Sequence, residues 1–217
     1  ENARFKVALD ENGDVCSILD KAAGKELLSS PLRLELLDDD SPRSPAWNIE
    51  WETIRAEPIE YVGGPATVTV ESTGPLTARL RIERTLKGPT GRSTFVQIVK
   101  LAAGKAGDLL EIETTIEWGT HERLLKAAFP LAVSNPQATY DLGLGVVQRG
   151  NNSQKMHEVP AQQWADLTDV DGRYGVSILS DCKYGWDKPG DHTLRLTLLH
   201  TPRTADKHPE QAELDVG

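Results

Sequence analysis

The stretch Leu110-Glu111-Ile112-Glu113-Thr114-Thr115-Ile116-Glu117-Trp118 decides the fold. In an extended chain Leu110, Ile112, Thr114, Ile116 and Trp118 point one way, and Glu111, Glu113, Thr115 and Glu117 the other. A helix would scatter the same residues round its whole cylinder. A period of two gives one buried face and one wet face, which suits an antiparallel sheet. The acids on the wet side read as a solvated surface.

Upstream, Leu76, Ala78, Leu80 and Ile82 share a side opposite Arg79, Arg81 and Glu83, and Phe95 to Leu101 is a denser apolar run. Between them, Gly88-Pro89-Thr90-Gly91 reads as a turn. Val68 and Val70 precede a Gly74-Pro75 break. Nearer the start, Phe5, Val7 and Leu9 alternate into Asn12-Gly13. That pair predicts a type I′ hairpin turn, with Val15 and Ile18 opening the return strand. A second turn is expected at Ala22-Ala23-Gly24-Lys25. Leu32, Leu34 and Leu36 alternate into an acidic loop, Asp38-Asp39-Asp40-Ser41-Pro42, and Trp47, Ile49 and Trp51 alternate after it. Downstream candidates are Leu124 to Val133, Thr139 to Val147, Val176 to Leu179 and Leu194 to Leu199. No longer window carries a helical stripe. With 18 Gly and 13 Pro spread along 217 residues, the pattern predicts an all-β chain. It reads as one large antiparallel β-sandwich domain over residues 1–217.

Composition narrows the function. Hydrophobic residues make up 38% and charged residues 26%, enough for a core. A net charge of -9 argues against nucleic acid and against anionic membrane surfaces as partners. No apolar run approaches the roughly 20 residues of a membrane helix. Glu1 comes first and Met156 is the sole methionine, so the chain is expected to be an excised piece or a processed product. Cys16 and Cys182 give neither a disulfide framework nor metal spacing and are expected as small buried thiols. Lys183 could lower the Cys182 thiol pKa, though neighbours on a strand point apart. His121, His157, His192, His200 and His208 show no metal-ligand spacing. Gly143-Leu144-Gly145 is a weak match to a phosphate loop. No pair among 33 acids is singled out as catalytic.

Sugars are held by aromatic faces with a few acids and amides around them. Trp118 falls on the buried side of its strand. Trp164, after Gln162-Gln163 and before Asp166, has a turn-like setting. Trp186 lies in Tyr184-Gly185-Trp186-Asp187-Lys188-Pro189-Gly190, a loop by composition. Trp164 and Trp186 are therefore the candidates for touching a sugar. Asn151-Asn152-Ser153 is a glycosylation sequon by pattern alone.

Several blocks, in order, carry a resemblance. They are Trp118-Gly119-Thr120-His121-Glu122-Arg123-Leu124-Leu125-Lys126-Ala127-Ala128-Phe129-Pro130-Leu131, Glu158 to Leu167, Tyr174 to Gly185 and Leu194 to Leu199. Ser180-Asp181-Cys182-Lys183-Tyr184-Gly185 is the most specific, with Ser180 in place of a frequent Asn. The opening, with Asn12-Gly13 and Asp20-Lys21, also fits. Together they are similar to the C-terminal β region of glycoside hydrolase family 38, the α-mannosidases.

The resemblance implies a galactose mutarotase-like supersandwich from a retaining exo-α-mannosidase. The piece would give scaffold, packing against its own N-terminal catalytic domain and the rim of a substrate site for terminal α-linked mannose. The barrel, the helical bundle, the nucleophile and the zinc would lie outside this chain, leaving it inactive alone. Arg149 matches a family arginine, although Gly150-Asn151-Asn152 departs from the Pro-Thr-His that follows it in cytosolic-type relatives. Arg149 would reach sugar hydroxyls or an acid of the barrel, or serve only as a solvated or interdomain salt-bridge residue. Asp181, Lys183 and Tyr184 would line the domain contact or the site rim, unless Lys183 and Asp181 form a buried pair. A bacterial source and a cytoplasmic location are expected. An uncovered apolar patch would permit a homo-oligomer. The competing readings are a stand-alone carbohydrate-binding module on Trp186 or Trp164, and a mutarotase-like sugar enzyme needing a histidine and a carboxylate in one cleft.

Overall fold

A computed structural model describes residues 1–39, 46–88 and 91–202. In chain order the elements are β1 (Phe5–Leu9), β2 (Val15–Asp20), β3 (Lys25–Glu26), β4 (Arg33–Asp38), α1 (Trp51–Arg55), β5 (Glu60–Tyr61), β6 (Thr67–Thr73), β7 (Thr77–Lys87), β8 (Arg92–Ala102) and β9 (Glu111–Glu117). There follow β10 (Arg123–Pro130), β11 (Gln137–Asp141), β12 (Val146–Gly150), β13 (Val159–Pro160), β14 (Trp164–Thr168), β15 (Gly175–Leu179), β16 (Gly185–Gly190) and β17 (Thr193–Thr201). The structure is nearly all β, as the alternating pattern requires. Asp40-Ser41-Pro42 of the acidic loop, Pro89-Thr90 and His208 lie outside the described residues. No helix among the described residues is long and apolar enough to cross a membrane.

The described residues divide into two compact units, Glu1–Leu27 with Val62–His121, and Leu28–Tyr61 with residues 122–202. The first unit holds the sheets β1-β2-β3 and β6-β7-β8-β9. Phe95, Ile116 and Trp118 are buried there, and the Phe95 and Trp118 rings meet edge to face at 6.3 Å. The β1–β2 turn is not the expected type I′, which needs positive φ at both central residues. Gly13 has φ +78° whereas Asn12 does not, and Gly13 N–H donates to Asp10 O at 3.1 Å. The loop is longer, and its carbonyls are used. Buried Arg84 of β7 donates to Asn12 O at 3.0 Å and to Gly13 O, and pairs with Asp14 at 3.1 Å. Burial lowers the Arg84 pKa, with Asp14 and Asp10 opposing. The Ile82 side of β7 thus carries a buried cation that alternation alone reads as apolar.

The second unit holds the sheets β13-β16-β17-β10-β4-β5 and β12-β11-β14-β15. In β10, Leu124, Lys126 and Ala128 alternate with Leu125, Ala127 and Phe129. The first set is buried throughout, and in the second Leu125 is buried while Ala127 and Phe129 are half-buried, so neither face is wet and the strand reads as one apolar run rather than an alternating one. Trp47, Ile49 and Trp51 do not form a strand. Trp47 is exposed in a turn, while Trp51 starts α1. Ile49 and Trp51 pack on the cluster Leu37, Ile54 and Leu124. The predicted strand Thr139 to Val147 is a hairpin, β11–β12. It is broken where Leu142 N–H donates to Gly145 O at 2.9 Å and Gly143 adopts φ +81°. The thiols are less buried than expected: Cys16 is half-buried and Cys182 exposed.

Candidate functional site

The β12-β11-β14-β15 sheet of the second unit carries a shallow cavity of about 480 Å³, lined by Thr139, Trp164, Asp166, Ser177 and Leu179. Register explains the set. Thr139 of β11 sits opposite Asp166 of β14, Asp166 opposite Ser177 of β15, and Trp164 opposite Leu179. Residues two apart on a strand share a face, so a polar row lies beside an apolar one. Asp166 accepts Thr168 Oγ1 at 2.7 Å and Ser177 Oγ at 2.8 Å. Ala165 and Leu167, between these positions, point into the core and are fully buried. Val146 on the sheet and Leu142 and Leu144 in its hairpin loop are exposed, as is Leu179.

A second constellation is buried in the six-stranded sheet of the same unit. Lys126 Nζ meets Asp187 Oδ1 at 2.8 Å, Glu158 Oε2 at 2.7 Å and Thr197 Oγ1 at 2.8 Å. Arg195 clamps Asp187 through Nη2 at 2.7 Å and Nε at 3.2 Å, and reaches Glu35 Oε2 at 3.3 Å and Ile54 O at 3.0 Å. Asn152 Nδ2 adds a donor to Asp187 at 2.7 Å. The register places Lys126 beside Glu35 and Thr197, and Arg195 beside Asp187, so this is a ladder across β16, β17, β10 and β4. Burial alone would push the Asp187 carboxyl up. The Lys126 and Arg195 charges overcome it and hold Asp187 below the ordinary carboxylate value. Burial pushes Glu35 up, against the pull of Arg195. Each of the three carboxylates, Asp187, Glu158 and Glu35, is engaged by a cation, which makes the ladder a structural device. Among the described residues no group of three or more His, Cys, Asp or Glu is placed to hold a metal ion.

A family model described as the glycosyl hydrolases family 38 C-terminal domain matches residues 1–208. The chain belongs to that family. Alpha-mannosidase G of Dictyostelium discoideum is 26% identical over 216 residues, which cover 95% of this chain and 19% of that protein. Alpha-mannosidase 2C1 of Mus musculus is 28% identical over 215 residues, 95% of this chain and 20% of that protein. The chain thus spans about a fifth of the length of these curated relatives. The crystal structure of an alpha-mannosidase from Enterococcus faecalis superposes with a TM-score of 0.74 at 20% identity, over 94% of this chain and 26% of that one. At that identity the likeness speaks for the fold.

The residues singled out in this family 38 C-terminal domain do not converge. Trp186 is corrected: it is not in a loop but on β16, paired with Leu196 and Val159, and its exposure is 0%. It offers no stacking face to a sugar. Pro189 misleads the composition because the β16–β17 register is broken between Asp187 and Gly190, where a bulge tolerates it. Trp164 is on β14 rather than in a turn, and it lines the cavity. Arg149, on β12, donates to Pro160 O at 2.7 Å and lies over the Tyr140 ring at 5.1 Å. Asp181 is exposed, so any pair it forms with Lys183 is not a buried one. Lys183 is half-buried and its N–H donates to Ser180 Oγ at 3.0 Å, while Tyr184 is exposed. Lys183 does not activate Cys182: a hydrogen bond with Asp181 pushes the thiol up and outweighs it. None of the four described histidines lines the cavity. His200 Nε2 lies 2.6 Å from buried Asp39, and the His157 ring meets that of Trp51 at 5.5 Å, tilted by 52°. Asp166 escaped the sequence reading because it was seen only as a neighbour of Trp164. The signal was present in the two-residue spacing from Trp164 to Asp166.

Proposed function

We propose that the chain is the C-terminal β region of a retaining exo-α-mannosidase that hydrolyses terminal α-linked mannose. The observation that carries this is the family match over residues 1–208, together with curated relatives named as alpha-mannosidases that are about five times as long. In this reading the bond-breaking carboxylate and the zinc belong to an N-terminal catalytic domain, the chain's principal partner. Zinc there supplies a Lewis acid at the sugar hydroxyls. The buried ladder around Asp187 supports a framework role, because its charged groups are spent on one another. The fold is proposed to be the mutarotase-like supersandwich, and the enzyme to work in the cytoplasm. Asp181, Lys183 and Tyr184 face the catalytic domain, and Arg149, held by Pro160 O, lies at the rim of the sugar site.

The test compares three proteins with an aryl α-mannoside: the full-length enzyme, the same enzyme lacking this region, and this chain alone. Hydrolysis is expected from the first only. Hydrolysis by this chain alone, abolished by a chelator, would overturn the division of labour.

A further inference from the structure

We propose that the outer face of the β12-β11-β14-β15 sheet is a sugar-binding patch, where the Trp164 ring seats a neutral pyranose and Asp166, between Thr139 and Ser177, accepts its hydroxyls. A pyranose has an apolar C–H face and a rim of hydroxyls. The sheet offers the matching pair of rows. Trp164 and Leu179 lie opposite each other, and Thr139, Asp166 and Ser177 run parallel to them two residues along β14. That offset is about 7 Å along the strand, with neighbouring strands about 4.8 Å apart, which suits one sugar ring lying across both rows.

Asp166 is prepared for the task. Each of its oxygens already accepts one hydroxyl, Thr168 Oγ1 on Oδ1 and Ser177 Oγ on Oδ2. A carboxylate oxygen accepts more than one hydrogen bond, so each oxygen keeps acceptor capacity. The two bonds fix the group before a ligand arrives, which removes ordering cost from binding. The lining also selects by charge. It contains Asp166 and no Lys, Arg or His, so phosphates, nucleotides and carboxylates are repelled. A lone carboxylate beside two hydroxyls and an indole is a poor cage for a hard cation, which takes 6–8 oxygens in the case of calcium. A neutral polyol remains. The geometry asks only for a pyranose; the choice of an α-mannoside as probe rests on the function proposed above.

The five tryptophans give separate indole N–H signals in a proton–nitrogen NMR spectrum, and Trp164→Phe assigns one of them. The 217-residue chain is titrated with methyl α-mannopyranoside and with an α-linked mannose trisaccharide, up to high millimolar. The Trp164 signal is expected to shift and saturate while that of buried Trp186 stays put. Asp166→Asn should weaken the apparent Kd about fivefold or more, and in Trp164→Ala, which lacks the reporting indole, the backbone amide signals of Asp166 and Ser177 should no longer shift and saturate. If Trp164→Ala loses its folded spectrum, Ser177→Val, at an exposed position, reads the same contact. A Trp164 signal unmoved by either sugar overturns the proposal, as does undiminished binding by the folded variants. Saturation by an apolar peptide with none by sugar overturns it too and makes the face a protein contact. An active full-length α-mannosidase with a silent Trp164 sinks this patch alone. Binding here with an inactive full-length protein sinks only the preceding proposal.

Discussion

Asp187 shows how much one side chain carries. It is fully buried between Lys126 and Arg195. Asp187→Asn removes the anion that Lys126 and Arg195 share, leaving Lys126 only Glu158 and Arg195 only Glu35 as an anionic partner, and breaking such a buried pair costs about 3–5 kcal/mol. The expected result is that loss in urea unfolding at pH 7. The folded carboxyl lies below its ordinary 3.8, so its contribution is present above that value and fades as pH falls through the folded one. The gap between wild type and variant should therefore narrow only in strong acid. Lys188 carries the same sign at the alkaline end. Burial takes its amine from 10.5 down to about 8, with Asp191 opposing, while Nζ donates to Asn151 Oδ1 at 2.6 Å and Gly190 O at 2.7 Å. Between those two pKa values the unfolded chain binds more protons, so stability rises with pH there. Thermal midpoints of wild type and Lys188→Met should shift in favour of wild type from pH 7 to pH 10. A constant difference would contradict the assignment. None of this was legible in the sequence, because Glu35, Lys126, Asp187 and Arg195 meet only through strand register.

At the scale of elements, what could be read depended on what covers each strand. In β9 one face is wet, the period of two survives, and the reading from Leu110 to Trp118 stands. In β10 and β16 each face carries buried residues, so the pattern vanishes and a bulged Pro189 makes Trp186 read as a loop residue. The cavity was half legible for the same reason: Trp164 drew notice as an aromatic, while Thr139 and Ser177 are distant in sequence and adjacent only across strands. The β1–β2 hairpin offers a direct test. A Cβ at Gly13 would meet Ala66 Cβ and Ile82 Cγ2, each at 2.8 Å, and its φ is +78°. The left-handed backbone costs about 1–2 kcal/mol and overpacking about 1–3 kcal/mol. Gly13→Ala should thus lower unfolding stability by about 2–5 kcal/mol in a urea titration, and a neutral variant would show that the hairpin does not seat on β7.

For the whole molecule, charge and exposed apolar surface act together. The net charge is -9 at pH 7 and the pI about 5.1. Leu142, Leu144, Val146 and Leu179 are exposed around one sheet, and repulsion keeps such surfaces apart away from the pI. Light scattering should find self-association rising as pH approaches 5.1, and Leu144→Glu should suppress it. Association at pH 8 that ignores the variant would place the contact elsewhere.

The interleaving of the two units constrains how the polypeptide can be made. β4 is made well ahead of its long partner β10, which begins only at Arg123, after the whole Val62–His121 segment. Until then β4 has only the two-residue β5 beside it. A ribosome adds about 5–20 residues per second, so Leu34, Leu36 and Leu37 spend several seconds as a sticky ribbon awaiting closure. A stop codon between Asp38 and Glu122 would release that ribbon permanently unclosed, which marks it as the place where a holdase chaperone would grip the nascent protein.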